Sequence, residues 1–141
     1  MSNFITIDDY NATIHHEILG ALIRDDEAIV EVCEDRAVAQ MRSYMSGRYN
    51  CDEIFSQTGE NRNTLILMFA IDITVYHLFC IHNPQKLYKT RIDRYERAIE
   101  WLKGVEKGAI SIDGAPMLDD DQLAKASNYQ MKSNPKRVNH F

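Results

Sequence analysis

Leu65-Ile66-Leu67-Met68-Phe69-Ala70-Ile71-Asp72-Ile73-Thr74-Val75-Tyr76-His77-Leu78-Phe79-Cys80-Ile81 is the stretch on which the fold turns. Only Asp72, Thr74 and His77 break its apolar run. A helix apolar on all sides is either a membrane span or the buried helix of a bundle. This one is short for a bilayer, and a mid-span aspartate costs about 2.5–3.5 kcal/mol on insertion scales. The sequence therefore predicts a core helix sheathed by other helices. Asn83-Pro84 ends it, because the residue before a proline disfavours helical geometry.

Working outward, Asp25-Asp26 suits the N-terminus of a longer helix running to about Ser46. Ile29, Val32, Cys33, Ala37, Met41, Tyr44 and Met45 recur at steps of three and four and predict its apolar face. Gly47 is placed to stop it. Nearer the start, Thr6-Ile7-Asp8-Asp9 has the pattern of a capping box, so a short first helix begins near Ile7. A second short stretch carries Ile18, Leu19, Leu22 and Ile23. Residues 48–62 are polar apart from Ile54 and Phe55 and read as a loop of about 15 residues, a length usually reserved for function or mobility.

After the core helix, Tyr88, Ile92, Tyr95, Ile99, Leu102 and Val105 form the stripe of a last amphipathic helix from about Gln85 to Lys107. Asp93 and Arg97 are spaced for an exposed i,i+4 pair, and Gly108 for the C-terminal cap. Ala109 to Ile112 reads as a short extended piece, and Asp113-Gly114 as a turn. Beyond Ala115 the chain becomes polar. The expected organisation is an all-α domain over 1–114, a small helical bundle around a central buried helix, and a flexible tail over 115–141 that ends without joining the core. Deletion after Asp113 is expected to leave that bundle intact.

The chain has 141 residues, 16 Lys+Arg, 21 Asp+Glu and a net charge of −5, with the two signs intermixed. Sequence-specific nucleic-acid binding is disfavoured, because phosphate contacts demand clustered cations. Three cysteines, Cys33, Cys51 and Cys80, are too few and too scattered for a secreted disulfide framework. Reduced thiols are expected, with Cys33 and Cys80 buried as small hydrophobes. The N-terminus shows no signal-peptide pattern.

Catalytic motifs are sparse. There is no nucleophile elbow, phosphate-binding glycine loop or activated cysteine context. His77, Cys80 and His82 form the most metal-like trio, but His82 points away from the face shared by the other two, and no second ligand pair follows. No metal, cofactor or catalytic residue is expected, although a metal enzyme using His77 and Cys80 stands as the weakest of three readings. Asp72 is the residue that demands an explanation. A carboxylate buried mid-helix must be paired, hydrogen-bonded or neutral. Arg42 and Arg48 at the end of the long helix, and Arg91 and Arg94 early in the last one, are its candidate partners. Asp72 is expected to make a structural ion pair or to order a subunit interface.

Three further pieces occur in order: Tyr44-Met45-Ser46-Gly47-Arg48-Tyr49, Ala70-Ile71-Asp72-Ile73-Thr74-Val75-Tyr76, and Arg94-Tyr95-Glu96-Arg97-Ala98-Ile99-Glu100-Trp101-Leu102 through Lys107-Gly108. With the opening Phe4-Ile5-Thr6-Ile7-Asp8-Asp9-Tyr10, they resemble the Mu-like phage protein family that includes the thirty-sixth gene product of phage Mu. The resemblance covers roughly residues 4 to 112. It departs at Asn50-Cys51-Asp52-Glu53, where the family has a short proline-rich segment, and after Asp113. The resemblance implies a non-catalytic neck subunit, similar to head-to-tail connectors, that self-associates into a ring and meets portal and tail-completion proteins. It implies a virion component assembled in the bacterial host cytoplasm, with no membrane partner. Asp72, Arg48, Tyr49, Arg91, Arg94 and Tyr95 are the candidate ion-pair or interface residues. The competing reading is a small helical regulator that binds DNA or another protein, with the cations of the last helix as its contact.

Overall fold

The computed structural model describes residues 4–12, 20, 27–82, 84–119 and 121. Among these residues the chain is helical: α1 spans Glu27–Met45, α2 Cys51–Ser56, α3 Thr64–His82 and α4 Lys89–Glu106. Short 3₁₀ turns lie at Ile7–Ala12, Gly59–Asn61 and Pro84–Lys86. The expected stretch from Ile18 to Ile23, the Asp25-Asp26 caps, Asn83, Asp120 and residues 122–141 lie outside the described residues.

Helix α3 is the predicted core helix, and it packs on both α1 and α4, which also touch each other. It begins where Asn63 Oδ1 accepts from the amides of Leu65 and Ile66, both at 3.1 Å. That caps two of the amide groups a helix start leaves unpaired. Ile66, Phe69, Ala70, Ile71, Ile73, Val75, Leu78 and Phe79 are buried in one continuous core. Thr74 is buried as well, and its hydroxyl donates to the Ala70 carbonyl at 2.7 Å, so it brings no unpaired group inside. By length and composition α3 is long and apolar enough to cross a membrane, yet 56% of that window is buried within the protein. The sheath is incomplete at the ends. Leu65 and Met68 are each 39% exposed and Ile81 46%. Cys80, expected to be buried, is exposed, whereas Cys33 and Cys51 are inside.

Helix α1 buries Val30, Cys33, Ala37, Val38, Met41 and Met45. Val32 was assigned to this face and is 45% exposed. At about 100° per residue it stands roughly 200° round from Val30, on the far side. The buried stripe instead takes in Glu34. Gly47 follows the end of α1, but left-handed geometry falls at Gly59, Gly108 and Gly114. The chain turns there through the amides of Arg48 and Tyr49, which both donate to the Met45 carbonyl.

Residues 48–62 are not a loop. Three apolar side chains, Cys51, Ile54 and Phe55, line one side of α2 and are buried. Each such side chain contributes about 1.5–3 kcal/mol on burial, enough to order a short helix in a polar run. Asn50 caps it by accepting from the Glu53 amide at 3.2 Å. Phe55 packs edge-on against Phe4, ring centroids 5.0 Å apart. The first segment is therefore part of the core: Phe4, Ile5 and Tyr10 are all buried. Of the expected capping box, the returning acid is present, with Asp9 accepting from the Thr6 amide and hydroxyl.

Helix α4 starts at Lys89, later than the expected Gln85, because the Pro84–Lys86 turn intervenes. Tyr88 precedes the helix and is 67% exposed rather than part of the stripe. Ala98, Leu102 and Val105 are the buried positions. Gly108 closes the helix as expected, at φ +83°, with its amide donating to Val105. Ile110 folds back so closely that a Cβ at Gly104 would lie 2.5 Å from its Cδ1.

The chain after α4 is a strap, not the start of a tail. Ile112 is buried, and its amide donates to the Tyr49 hydroxyl at 2.9 Å. The Asn50 amide donates to Pro116 at 2.9 Å and the Leu118 amide to Arg48 at 3.1 Å, forming an isolated antiparallel bridge between Tyr49 and Met117. The expected boundary at residue 114 thus falls inside a paired segment. Truncation after Asp113 should remove both of these bonds, costing roughly 1–3 kcal/mol and several degrees of melting temperature. Truncation after Asp121 should keep them. Thermal melts of the two shortened chains by circular dichroism check this; equal melts would contradict it.

Candidate functional site

Asp72 lies midway along α3 with its side chain 4% exposed. Facing it from α4 are Arg91, Arg94 and Arg97, one helical turn apart and all acting on its charge. Arg97 Nη2 is 3.9 Å from Asp72 Oδ2, while the Arg97 side chain is itself 61% exposed. Burial pushes the Asp72 carboxyl above the ordinary carboxylate range, and the pull of Arg94, Arg97 and Arg91 offsets it only in part. Burial likewise lowers Arg91, as does Arg94, with Asp72 opposing both. The site is one acid shared by three cations. Arg97 was expected to pair with Asp93, but Asp93 is taken by Lys89 at 3.7 Å.

One helical turn from this cluster an aromatic pair continues the α3–α4 contact. The rings of Tyr76 and Tyr95 stack with centroids 3.9 Å apart and 13° between planes. The Tyr95 hydroxyl accepts from Gln40 Nε2 at 3.0 Å, and Gln40 Oε1 lies 3.3 Å from His77 Nε2, which donates to it. Burial and Arg36 hold the His77 imidazole below its usual range, so it stays neutral at pH 7. His77 is therefore a link between α1, α3 and α4. Cys80, its co-ligand in the weakest of the three readings, is exposed, and no three metal-ligating groups converge among the described residues.

Arg48 and Tyr49 stand elsewhere. Arg48 donates to the Val105 carbonyl at 3.0 Å, and its guanidinium lies 5.7 Å over the Tyr49 ring. Tyr49 is buried and receives the Ile112 amide. Together they fasten the strap to the end of α1. Arg42, also proposed for Asp72, pairs with Asp52 at 2.5 Å. The structure thus brings Asp72, Arg91, Arg94 and Tyr95 to the α3–α4 seam and sends Arg48, Arg42 and Tyr49 to another.

Two polar contacts had no place in the sequence reading. Arg62 grips Asp9 in a two-pronged contact at 2.5 and 3.0 Å and donates to the Phe4 and Gly59 carbonyls, both at 2.7 Å. Burial alone would raise the Asp9 carboxyl, but hydrogen bonds from Arg62 and Thr6 outweigh it and hold the acid low. The Tyr10 hydroxyl donates to Glu34 Oε2 at 2.5 Å, with both residues buried. Glu34 had a readable signal, since it falls in phase with Val30, Ala37, Val38 and Met41. Arg62 had none, because nothing local marks one arginine in a polar run.

The described surface also holds an open depression of about 480 Å³ between α2 and the strap, lined by Glu53, Gln57, Asn61, Gly114, Ala115 and Pro116. No histidine, cysteine or arginine lines it.

Because the Arg97 side chain, 3.9 Å from Asp72, is mostly solvent-exposed, Arg97→Ala should cost only about 0.5–1 kcal/mol. Asp72→Asn should leave the melt at pH 7 unchanged or raise it, since burial already disfavours the ionised form. Paired thermal melts of the two variants check this ordering, and a large loss in Asp72→Asn would reverse it.

A family model described as Bacteriophage Mu, Gp36 matches residues 4–132 of the chain. The match runs past Asp113, where the resemblance was expected to stop. No curated protein and no solved structure matches.

Proposed function

Since the chain belongs to the bacteriophage Mu Gp36 family, a family of phage proteins, we propose that it is a non-catalytic structural subunit of a phage or prophage head-to-tail connector. In this reading, copies associate into a ring that docks on the portal, and the ring becomes a virion component assembled in the host cytoplasm. The observation that carries it is the family match over nearly the whole chain. The polar architecture supports it. Asp72, Glu34, Arg62, Arg48 and His77, the groups from which a catalytic constellation would be drawn, each engage another element of the same chain. General acid–base or nucleophilic chemistry needs such groups to converge on a substrate-sized recess. Here they are dispersed along the helix seams.

The same geometry weakens the DNA-binding reading. Lys89 faces Asp93, and Arg97 faces Asp72. A helix whose cations are answered by acids of its own and of the neighbouring helix presents little net charge to phosphate.

Light scattering and native mass spectrometry of the protein, alone and mixed with the portal ring of its own phage, should show a multi-copy complex with portal. A protein that stays monomeric and ignores portal would defeat the proposal. Duplex DNA at moderate salt should not be retarded.

A further inference from the structure

The Tyr10–Glu34 contact has a consequence beyond assembly. The segment Phe4–Ala12 is held through the buried side chains of Phe4, Ile5 and Tyr10 and through polar contacts that include Asp9 and the Phe4 carbonyl on Arg62 and Tyr10 on Glu34. The Asp9–Arg62 pair keeps both charges at any pH above the carboxylate range, because Arg62 and Thr6 hold Asp9 low. Glu34 differs. It is 6% exposed, and its hydrogen-bond partner belongs to the segment itself, 24 residues away in sequence. We propose that Glu34, buried against Tyr10, is a proton-controlled latch: the N-terminal segment stays down while Glu34 is protonated and docks less firmly when that proton leaves, because docking then buries a carboxylate charge that the Tyr10 hydrogen bond offsets only in part.

The physics follows from what surrounds the carboxylate. Burial is the largest influence, and Asp35 and Glu31 on α1 and Asp9 on the segment add repulsion. The Tyr10 hydroxyl works the other way by donating to the ionised form, and the balance places Glu34 at about 7 instead of 4.5. Cys33 beside it is also raised by burial, with Arg36 and Cys80 of α3 acting on that thiol. Among the ionisable groups of α3 and α4, His77 and Tyr95 meet α1 at Gln40.

When the segment lifts, Glu34 loses its cover and hydrates, so its proton is held less tightly in the open state than in the docked one. Below pH 4.5 Glu34 is protonated in both states and the latch is at full strength. As pH rises from there to about 7, only the open state gives up its proton, and docking weakens. Above that both states are ionised and the dependence ends. One proton changes the docked-to-open ratio by at most about tenfold per pH unit.

Amide exchange of the full chain between pH 5 and 8.5, corrected for intrinsic rates, reads this opening in the peptide covering residues 4–12. Wild type should show opening that rises several-fold toward pH 7 and then levels, while Glu34→Gln, which cannot ionise, should show no such rise. The same slope in Glu34→Gln would assign it to another ionisable group and overturn the latch. A flat wild type would overturn it too. Tyr10→Phe gives an independent arm. It removes the bond that favours the ionised form, so the midpoint should move up and the segment should open more at every pH. An unchanged profile in that variant would sink the latch, as would a Glu34 carboxyl resonance that titrates near 4.5 in wild type.

Discussion

A helix with an apolar side chain at almost every position has no face to offer water, and two neighbouring helices cannot cover one on all sides. Helix α3 is such a helix, and α1 and α4 pack directly on it. The remaining cover comes from pieces that are not long helices: Phe4, Ile5 and Tyr10 from the first segment, Cys51, Ile54 and Phe55 from α2, and Ile112 from the strap all belong to the same core. Both ends of the described chain fold inward for this reason. The apolar surface of α3 is worth more buried than the backbone entropy of ordering those short pieces.

Pieces of six to ten residues cannot hold their own place, since an isolated short helix is marginal in water. Each one here is tied by a polar contact to a longer element. Arg62 binds the first segment through Asp9 and the Phe4 carbonyl. Tyr49 and Arg48 bind the strap and the end of α4. Asn63 both caps α3 and donates to the Asp113 carbonyl at 3.0 Å. The ties run between segments far apart in sequence, so each closes a loop whose entropy the apolar core must offset. That division of labour explains why the ionisable residues Asp9, Glu34, Arg48 and Arg62 serve as ties between segments of the bundle.

The core helix, the two helices that flank it and the stop at Gly108 were legible because periodicity and glycine geometry are local signals. What was not legible is what depends on tertiary contact. Residues 48–62 read as loop because two apolar residues in fifteen carry no period, yet Phe4 supplied Phe55 with a partner from 51 positions away. The strap looked like a tail because it bonds residues 48–50 through its own backbone groups, the Ile112 and Leu118 amides and the Pro116 carbonyl, which leave no mark on its side-chain composition. Asp72 was correctly singled out as a buried carboxylate, and Arg91 and Arg94 as its neighbours, since the α3–α4 hairpin sets their register. Arg97 was assigned to Asp93 by spacing on one helix. The low-dielectric Asp72 drew it across instead, because an uncompensated buried charge costs more than an exposed i,i+4 pair returns.

The two buried acids show how the same chemistry yields different consequences by location. Both Asp72 and Glu34 are raised by burial. Asp72 sits between two long helices with many apolar contacts on either side, and three arginines of α4 share its charge. A change in its charge alters a seam that packing already holds shut. Glu34 is bound by a phenol carried on a segment with three apolar anchors. There the charge acts on a short segment, whose local opening costs less than parting two long helices. Sensitivity to protonation is therefore decided less by how far each acid is shifted than by the size of the element its partner belongs to.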